Sequence, residues 1–393
     1  MLLLEVLTGT ASLAILAPVL ILLTEVLAAL VSKESEPILA CGQWPRLAVV
    51  IPAHNEALVV RDTLQYLLPQ LRSGDRVVVV ADNCTDETAA IAAAAGAEVS
   101  VRHDESRRGK GYALDRGIRY LESAPPDVIL ILDADCRIAQ GSVDRLALIC
   151  AQTGRPAQAL NLSYAPPGAG VKVHIAEFAS TLKNRVRALG MRNLGLPCHL
   201  TGTGMAFPWA CIRQARLATG HIVEDIKLGL ELISAGHPPL FCPEARVSSS
   251  FPASDEGFNS QRTRWEHGYL GVLLQDAPAV IKESLARRDG RLLAVGLDLC
   301  VPPISLLALL VAAVWAASAL GFALVHLKLP LFIASAAAGL LGLSVWLSWV
   351  RYGRESLSLY TLALALVYAL RKIPFYARFL VNRQLDWVRT RRD

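Results

Sequence analysis

The sequence predicts an α/β domain built on a doubly wound, mainly parallel sheet, with transmembrane helices before and after it. Three observations support this fold class. Apolar residues make up 53% of the 393-residue chain and concentrate at its two ends. Between the ends, β-branched apolar runs alternate with stretches of helical spacing, which is typical of parallel βαβ units. Polar clusters then follow the apolar runs, where ligands bind in such sheets.

The N-terminal segment, residues 1–31, is predicted to be a membrane anchor. Only Glu5 and Glu25 are charged between Leu2 and Val31. About 20 apolar residues suffice for a helix to cross a bilayer. The segment has no basic start and exceeds the apolar core of a signal peptide, so we expect it to be retained. A polar linker is predicted at residues 32–45.

Three buried strands are predicted in a central domain at residues 46–271. They lie in LAVVI, DRVVVVADN and DVILILDAD, whose continuous apolar runs are typical of strands covered on both faces. Helices are predicted for Ala57–Leu71 and for TDETAAIAAAAGAEV, with Thr85 as N-cap and Gly96 at the C-terminal end. The clusters PAHNE, ADNCTD and DADC should therefore converge on one edge of the sheet.

A membrane region is predicted at residues 304–381, after interfacial helices at 272–303. Ile304–Val325 and Leu329–Val350 are apolar enough to span a bilayer. Ser356–Leu370 is shorter, and its sequence is consistent with a third span or with an interfacial helix. The positive-inside rule places the basic residues after the second span in the cytoplasm, whereas a third crossing would put the tail outside.

The basic tail, residues 382–393, is predicted to be solvated or to lie against anionic lipid headgroups. The eight cysteines contain no Cys-x-x-Cys pair, so we expect reduced thiols rather than a zinc or redox framework. The formal net charge is only +5, and we predict no nucleic-acid partner.

Paired carboxylates are the first candidates for chemistry. Asp133 and Asp135 end a predicted strand, where carboxylates favour a hard divalent cation that bridges to phosphates. An ordinary acidic loop would have the same sequence. Glu224 and Asp225 precede an apolar helical pattern. They are either acids favoured by the helix dipole or a general base near a substrate hydroxyl.

Candidate nucleotide contacts come from other motifs. Asp82 follows a strand and either begins a turn or bonds a base or ribose. Lys110 lies between two glycines in GKGYAL, where the backbone can approach a phosphate closely. The chain has neither a P-loop nor a G-x-G-x-x-G motif. LTGTGMAF, from Leu200, is either a plain turn or a wall close to an acceptor.

The motif QRTRW, Gln261–Trp265, precedes the C-terminal apolar region. Taken alone, it resembles a basic patch that faces a membrane, since Trp is common at lipid interfaces. The upstream acids favour a second interpretation, in which Arg264 binds phosphate in bidentate fashion and Trp265 faces a sugar ring. We expect Arg262 to remain on the headgroup-facing side.

The order VVIPAHNE, ADNCTDET, GKGYAL, LDADC, LTGTGMAF, VEDIKLG and QRTRW, followed by apolar spans, resembles the membrane-bound family-2 glycosyltransferases. That group includes cellulose, hyaluronan, chitin and poly-N-acetylglucosamine synthases and ceramide glucosyltransferase. The resemblance covers Arg46 to about Gly271. It implies a GT-A fold, a nucleotide-sugar donor that is UDP-linked by family preference, an inverting mechanism, and Mg²⁺ or Mn²⁺ as cofactor. Val223 departs from the Thr-Glu-Asp that often precedes the base.

The resemblance also implies a role for each matching residue. The residues expected around the nucleotide are Ala53, Glu56, Asp82, Lys110 and Asp133. The metal ligand would be Asp135, and the catalytic acids would be Asp225 as base with Glu224 beside it. The residues expected at the diphosphate and acceptor are Gly202, Thr203, Gln261, Arg264 and Trp265.

Three functions follow as hypotheses. The first is a transferase that extends a polysaccharide or lipid-linked acceptor, and the second adds a single sugar to a glycolipid. The third is a catalytically silent scaffold that binds sugar nucleotide. We expect a multi-pass protein of a bacterial inner membrane with its catalytic domain in the cytoplasm, in contact with membrane lipids. A homo-oligomer or an export partner is also anticipated, because polymerases that export their own product usually have more spans than this chain.

Overall fold

The computed structural model describes residues 2–31 and 43–381. The predicted basic tail and most of the predicted linker lie outside these ranges. The described strands are β1 Leu47–Ala53, β2 Arg76–Asp82, β3 Glu98–Arg102, β4 Val128–Ile131, β5 Arg137–Ile138, β6 Ala157–Tyr164, β7 Met205–Pro208 and β8 Leu240–Ser250.

The described helices, in chain order, are α1 Leu2–Leu30, α2 Val60–Leu67, α3 Thr88–Ala94, α4 Lys110–Leu121, α5 Ser142–Thr153, α6 Val171–Thr181, α7 Ala188–Asn193, α8 Trp209–Ile212, α9 Glu224–Ser234, α10 Asp255–Arg287, α11 Gly290–Leu299, α12 Ile304–Val325, α13 Lys328–Ser348, α14 Leu359–Arg371 and α15 Ile373–Val381. A 3₁₀ turn, Leu68–Gln70, extends α2. Two π-helical segments, Leu182–Arg187 and Trp349–Gly353, continue α6 and α13.

The described residues form two compact units. The sheet unit consists of residues 43–166 and 197–264, and the helical unit of residues 2–31, 167–196 and 265–381. All eight described strands belong to the sheet unit, in the order β3-β2-β1-β4-β7-β6-β8-β5. Strands β3, β2, β1 and β4 pair in parallel, as does β6 with β8, whereas β7 runs antiparallel to both its neighbours. The prediction of a mainly parallel α/β sheet is confirmed.

Both faces of the sheet are buried, as the continuous apolar strands predict. In β1, Val49 and Ile51 enter one hydrophobic core together with α2, α3 and α5. The alternate residues Ala48 and Val50 enter a second core with α4 and α9. Side chains of consecutive strand residues point to opposite faces, so one apolar run serves two helical layers. The sheet is therefore doubly wound.

Two local predictions in this unit are wrong. Residues 98–102 form strand β3 rather than the end of a helix, because Gly96 takes a φ of +95° and turns the chain out of α3. Thr85 does not cap α3, which begins at Thr88. Its amide donates instead to Asn55 Oδ1, at 2.7 Å, and Asp86 Oδ1 accepts from the Thr88 amide at 3.0 Å.

The helical unit contains three helices that are long and apolar enough to cross a membrane. These are Leu3–Leu30, Ile304–Val325 and Lys328–Gly353. Helix α14 has only 13 residues and reaches about 20 Å, short of the ~30 Å hydrocarbon core. Helix α11 ends at Leu299 and α12 begins at Ile304, and Pro302 and Pro303 lie in the break between them.

The three long helices pack against one another in one apolar core. Val19 and Leu22 of α1 are buried with Leu307 of α12 and Leu341 of α13. The central domain is predicted to end at residue 271, but helix α10 runs without interruption through this position. This domain boundary therefore remains a prediction.

Candidate active site

The turns after β1 and β2 lie side by side at the carboxyl edge of the sheet. His54 Nδ1 is 2.7 Å from the Asp82 carbonyl oxygen, and the Glu56 amide donates to Thr88 Oγ1 at 2.8 Å. Asn55 and Asn83 hold both turns with positive φ, a conformation that Asn tolerates better than most residues. The parallel register thus brings two of the predicted polar clusters together.

Asp82 forms an ion pair at the end of β2. Arg102, the last residue of β3, donates to its Oδ1 at 2.6 Å, and the Asp82 and Arg102 side chains are only 8% and 12% exposed. Burial raises the pKa of Asp82, and the Arg102 guanidinium opposes this effect. Asp82 is therefore held rigidly rather than capping a helix. The sequence did not point to Arg102 because it lies on the strand that was not predicted.

Lys110 is the cation around which the acids gather. Its Nζ makes an ion pair with Asp133 and donates to the Gly202 carbonyl at 2.7 Å. Thr203 Oγ1 accepts from the Asp133 amide at 3.0 Å, so the glycine-rich LTGTG stretch supports Asp133 as well. Burial alone would lower the pKa of Lys110, but Asp133, Glu224 and Asp225 outweigh it and raise that pKa. Lys110 is therefore fully protonated.

Glycine at position 111 lets a loop cover the start of α4. A Cβ there would lie 2.3 Å from the Leu217 carbonyl oxygen and 2.7 Å from that of Thr219. Both atoms belong to the backbone, so a side chain at Gly111 would force the loop away. The GKG spacing therefore serves close packing next to Lys110.

Glu224 and Asp225 begin α9 and belong to the same cluster. A Cβ on Gly202 would be 3.4 Å from Asp225 Oδ2 and 3.5 Å from Lys110 Nζ, which places both groups beside that glycine. Burial and the neighbouring Asp225 raise the pKa of Glu224 to about 7. Glu224 is therefore partly protonated near neutral pH.

A possible cation site lies beside Lys110. Asp133, Asp135 and Cys136 each offer a ligand atom, and these atoms lie within 4.8 Å of one another. Burial raises the pKa of the Cys136 thiol well above its ordinary value, so it stays protonated. The two carboxylates suit Mg²⁺ or Mn²⁺, which take oxygen ligands and share them with phosphates. The residues present thus fit such an ion.

A pocket of about 180 Å³ opens beside the α9 acids. Glu224 and Asp225 line it, together with the basic residues Arg216, Lys227 and His221. These three were not among the predicted site residues. They lie in the loop before VEDIKLG and on α9, and only their proximity to the acids in sequence could have indicated them.

The QRTRW residues lie on helix α10. Gln261 is buried, and its Oε1 has no hydrogen-bond partner in the described part of the chain. Trp265 is 40% exposed. The guanidinium of Arg262 lies over the Phe258 ring, 5.5 Å from its centroid, so its expected headgroup-facing role stays a prediction.

The predicted site residues thus fall into three groups. Lys110, Asp133, Gly202, Thr203, Glu224 and Asp225 form one contiguous cluster, to which Asp135 is adjacent. Glu56 and Asp82 occupy the two linked turns, where Ala53 ends β1 and its carbonyl accepts from Cys84 Sγ at 3.4 Å. Gln261, Arg264 and Trp265 lie on α10.

Comparison with known sequences identifies the family. The profile described as "Glycosyltransferase like family 2" matches residues 45–268, more than half of the chain. The chain belongs to this glycosyltransferase family. This membership supports a transferase enzyme and confirms the resemblance carried by the seven motifs.

Individual relatives of this glycosyltransferase are distant. It is 26% identical over 262 residues to the probable glycosyltransferase YdaM of Bacillus subtilis, covering 59% of this chain and 57% of that protein. It is 25% identical over 250 residues to the poly-beta-1,6-N-acetyl-D-glucosamine synthase of Staphylococcus epidermidis, covering 60% and 57%. The matches span less than two thirds of these relatives' length.

A solved structure shares the fold of this glycosyltransferase across nearly its whole length. It is the mannosyltransferase PcManGT from Pyrobaculum calidifontis in complex with GDP-Man and Mn²⁺. The TM-score is 0.55 with 19% sequence identity, and the match covers 95% of this chain and 99% of that one. The predicted GT-A fold is thereby confirmed.

Proposed function

We propose that the chain transfers a sugar from a nucleotide sugar to a hydroxyl of a saccharide or lipid-linked acceptor at the cytoplasmic face of a membrane. The observation that carries the proposal is the Lys110 cluster. It places one ammonium, three carboxylates and the Gly202 carbonyl beyond the strand ends, beside a pocket. Ligands of such sheets bind at that edge.

The donor is proposed to bind between the strand-end turns and Lys110. Asp82, held by Arg102, offers a fixed carboxylate for a base or ribose. Asp135 with Asp133 would hold Mg²⁺ or Mn²⁺, and that ion would offset charge on the departing diphosphate. PcManGT was solved with GDP-Man and Mn²⁺, which supports a nucleotide-sugar donor and a divalent ion but leaves the base open.

The acceptor is proposed to enter the pocket that Asp225 lines. There the Asp225 carboxylate takes the hydroxyl proton while the hydroxyl oxygen attacks the anomeric carbon. The bond from that carbon to the diphosphate oxygen breaks on the opposite side, and the electron pair leaves with the diphosphate. This in-line displacement inverts the anomeric configuration. Lys110, and Arg264 from α10, supply positive charge near the leaving group.

Gln261 and Trp265 are proposed to contact the diphosphate or the acceptor. The Gln261 amide oxygen is buried and has no partner in the described residues, so it is suited to accept a hydrogen bond from a sugar hydroxyl. An exposed indole face is suited to stack on a sugar ring. The three candidate spans among the described residues, with Arg351 near the end of the last one and Arg354 directly after it, support a multi-pass protein whose catalytic unit faces the cytoplasm, as in a bacterial inner membrane.

Nucleotide release tests the proposal. The purified protein in lipid would be mixed with Mg²⁺ or Mn²⁺ and a panel of UDP- and GDP-sugars, with and without lipid acceptors. We expect one donor to support metal-dependent release. No release with any donor would leave only the silent scaffold.

A second candidate is the single-sugar transfer to a glycolipid. It is compatible with the three candidate spans among the described residues, because a single addition requires no path for a growing polymer. Product length in the same assay separates the two: a ladder of products supports polymerisation, and one discrete glycolipid supports single addition.

A further inference from the structure

A closed polar cluster lies where α14 meets α15 in the helical unit. The Lys372 ammonium donates to both carboxylate oxygens of Glu266, each at 2.6 Å, and to Ser305 Oγ at 3.0 Å. The Lys372 and Glu266 side chains are only 9% and 12% exposed. Glu266 directly follows Trp265 on α10, whereas Lys372 is 106 residues further along the chain.

Tyr376 completes the cluster from the first turn of α15. Its Oη donates to Glu266 Oε2 at 2.9 Å and lies 2.6 Å from Ser305 Oγ and 3.1 Å from Lys372 Nζ. One cation, one carboxylate and two hydroxyls thus satisfy one another. A buried ion pair whose groups are all hydrogen-bonded keeps a single geometry, because breaking one contact leaves the other polar groups without their hydrogen bonds.

Aromatic packing joins the same two helices beside the ion pair. The His267 ring centroid lies 4.9 Å from that of Phe375 and 5.2 Å from that of Phe379. One turn further along α10, Leu270 is buried with Tyr376 and Phe379. Three residues of α10, namely Glu266, His267 and Leu270, therefore meet α15 or the lysine that precedes it.

These contacts lie on one side of α10, and three residues of the QRTRW motif, Gln261, Arg264 and Trp265, lie on the other. The remaining two, Arg262 and Thr263, fall on the side of the contacts. At roughly 100° per residue, Glu266, Leu270 and His267 fall at about 0°, 40° and 100° around the helix axis. On the same scale, Arg264, Gln261 and Trp265 fall at about 160°, 220° and 260°. The two sets are centred about 170° apart. Helix α15 therefore braces the reverse side of the helix that carries the motif.

We propose that Lys372 is a positioning residue for the transfer, acting through Glu266 on the orientation of α10 at Trp265. The inference rests on the proposed role of Gln261, Arg264 and Trp265 at the diphosphate and acceptor. Lys372 touches no substrate in this scheme. Its action is to fix the rotation of α10, since reacting groups displaced by about 1 Å can cost about 100-fold in rate.

The test compares four variants of the full chain in lipid. Lys372→Met and Glu266→Gln break the pair, Lys372→Arg keeps a cation, and Arg378→Met alters an exposed residue on the same helix as a control. We expect Lys372→Met and Glu266→Gln to lower kcat about 10- to 100-fold. The donor Kd should stay within about twofold of wild type, because the proposed nucleoside and metal ligands do not lie on α10 and Arg264 is proposed to act on charge that builds as the diphosphate leaves. Lys372→Arg should recover much of the rate, and Arg378→Met should match wild type.

Hydrogen exchange gives a readout that does not need turnover. In Lys372→Met, amides of residues 261–270 should exchange faster, while those of β1 and β2 keep their wild-type rates. Unchanged exchange in α10, or unchanged kcat in an active enzyme, would overturn the inference. A variant in which kcat, donor affinity and the midpoint of thermal unfolding all fall together would also overturn it, since that pattern indicates a folding role alone. A third outcome combines faster α10 exchange in Lys372→Met with a wild-type enzyme that never releases nucleotide. It would retain the brace and reject the proposed function.

Discussion

Two lysine–carboxylate pairs, one in each unit, differ in their surroundings. Lys110 and Asp133 in the sheet unit have side chains that are 17% and 32% exposed. Lys372 and Glu266 in the helical unit are 9% and 12% exposed. The first lysine faces the additional acids Glu224 and Asp225, whereas the second is completed by two hydroxyls. Three carboxylates therefore face the Lys110 ammonium, whereas one carboxylate and two hydroxyls face the Lys372 ammonium.

The difference distinguishes a site suited to binding a ligand from an ion pair that stabilises the structure. Surplus carboxylate charge that solvent can reach attracts a metal ion or a proton, so its contacts can exchange during a reaction. The buried Lys372–Glu266 pair would not be stabilised further by exchanging its present contacts for contacts with a ligand. Surplus alone is not sufficient, because Arg187 in the helical unit faces both Glu25 and Asp298, whose side chains are only 3% exposed. Access to a pocket is the second requirement, and the Lys110 cluster meets it.

The largest effect on turnover should come from substituting Asp225, which lines the pocket. Asp225→Asn removes the proposed base and should lower turnover by about 10²- to 10⁴-fold. The donor Kd should hold, since the amide keeps the shape of the side chain. Nucleotide release and donor titration measure the two quantities. A folded variant that no longer binds donor would assign Asp225 to donor binding instead.

The two lysines can be compared directly by donor affinity. Lys110→Met removes the ammonium that Asp133, Glu224 and Asp225 face and should weaken donor binding about 10- to 100-fold, as expected when one partner of a buried pair is lost. Lys372→Met should leave the same Kd within about twofold. Calorimetric titration of both variants with the active donor measures this contrast. Equal weakening in both would show that the pairs do not differ in the proposed way.

Metal dependence should reside in the first pair alone. Asp135→Ala should raise the Mn²⁺ concentration needed for donor binding about tenfold, because one of two proposed carboxylate ligands is gone. The matched control is Asp62→Ala, a 56% exposed carboxylate that pairs with Arg137 on the surface. Titrations of donor at a series of Mn²⁺ concentrations measure the metal requirement of both variants. An unaltered metal requirement in Asp135→Ala would refute the assignment.

The smallest effect concerns pH. The pKa of Glu224 is raised from 4.5 to about 7 in the folded chain, so the unfolded chain loses this proton first as pH rises. The free energy of unfolding should therefore fall between about pH 4.5 and pH 7 and level off above that. Denaturant titrations should show a flatter dependence in Glu224→Gln over this window. Parallel curves for variant and wild type would place the Glu224 pKa near its ordinary value.

The fold could be predicted where strands are buried on both faces. The runs in β1, β2 and β4 are continuously apolar, so their type and parallel pairing followed from sequence. Strand β3 was missed because it is a short, half-exposed edge strand behind an alanine-rich helix. The strands β5 to β8 were not predicted, since they are brief or interrupted by polar residues and proline. Strand β7, moreover, inserts between β4 and β6 across a long stretch of chain.

The candidate site was predictable as residue types but not as partners. Seven motifs in order indicated the acids, Lys110 and QRTRW. The hydrogen bond from Lys110 to Gly202 joins residues 92 positions apart. The bond from Arg102 to Asp82 joins residues 20 positions apart, and Arg102 lies on the strand β3 that was not predicted. Lys372 carried no motif, because nothing in an apolar, basic segment indicates a partner 106 residues earlier.

The separation between Glu266 and Lys372 also has a consequence for timing. At about 5–20 residues per second, a ribosome needs roughly 5 to 20 s to synthesise the 106 residues between them. During that interval the nascent chain already contains all the proposed donor ligands, yet α10 has no α15 behind it. Under the proposed brace, sugar transfer reaches its full rate only when synthesis has passed the last candidate span, so that the membrane helices are complete before the enzyme consumes donor rapidly.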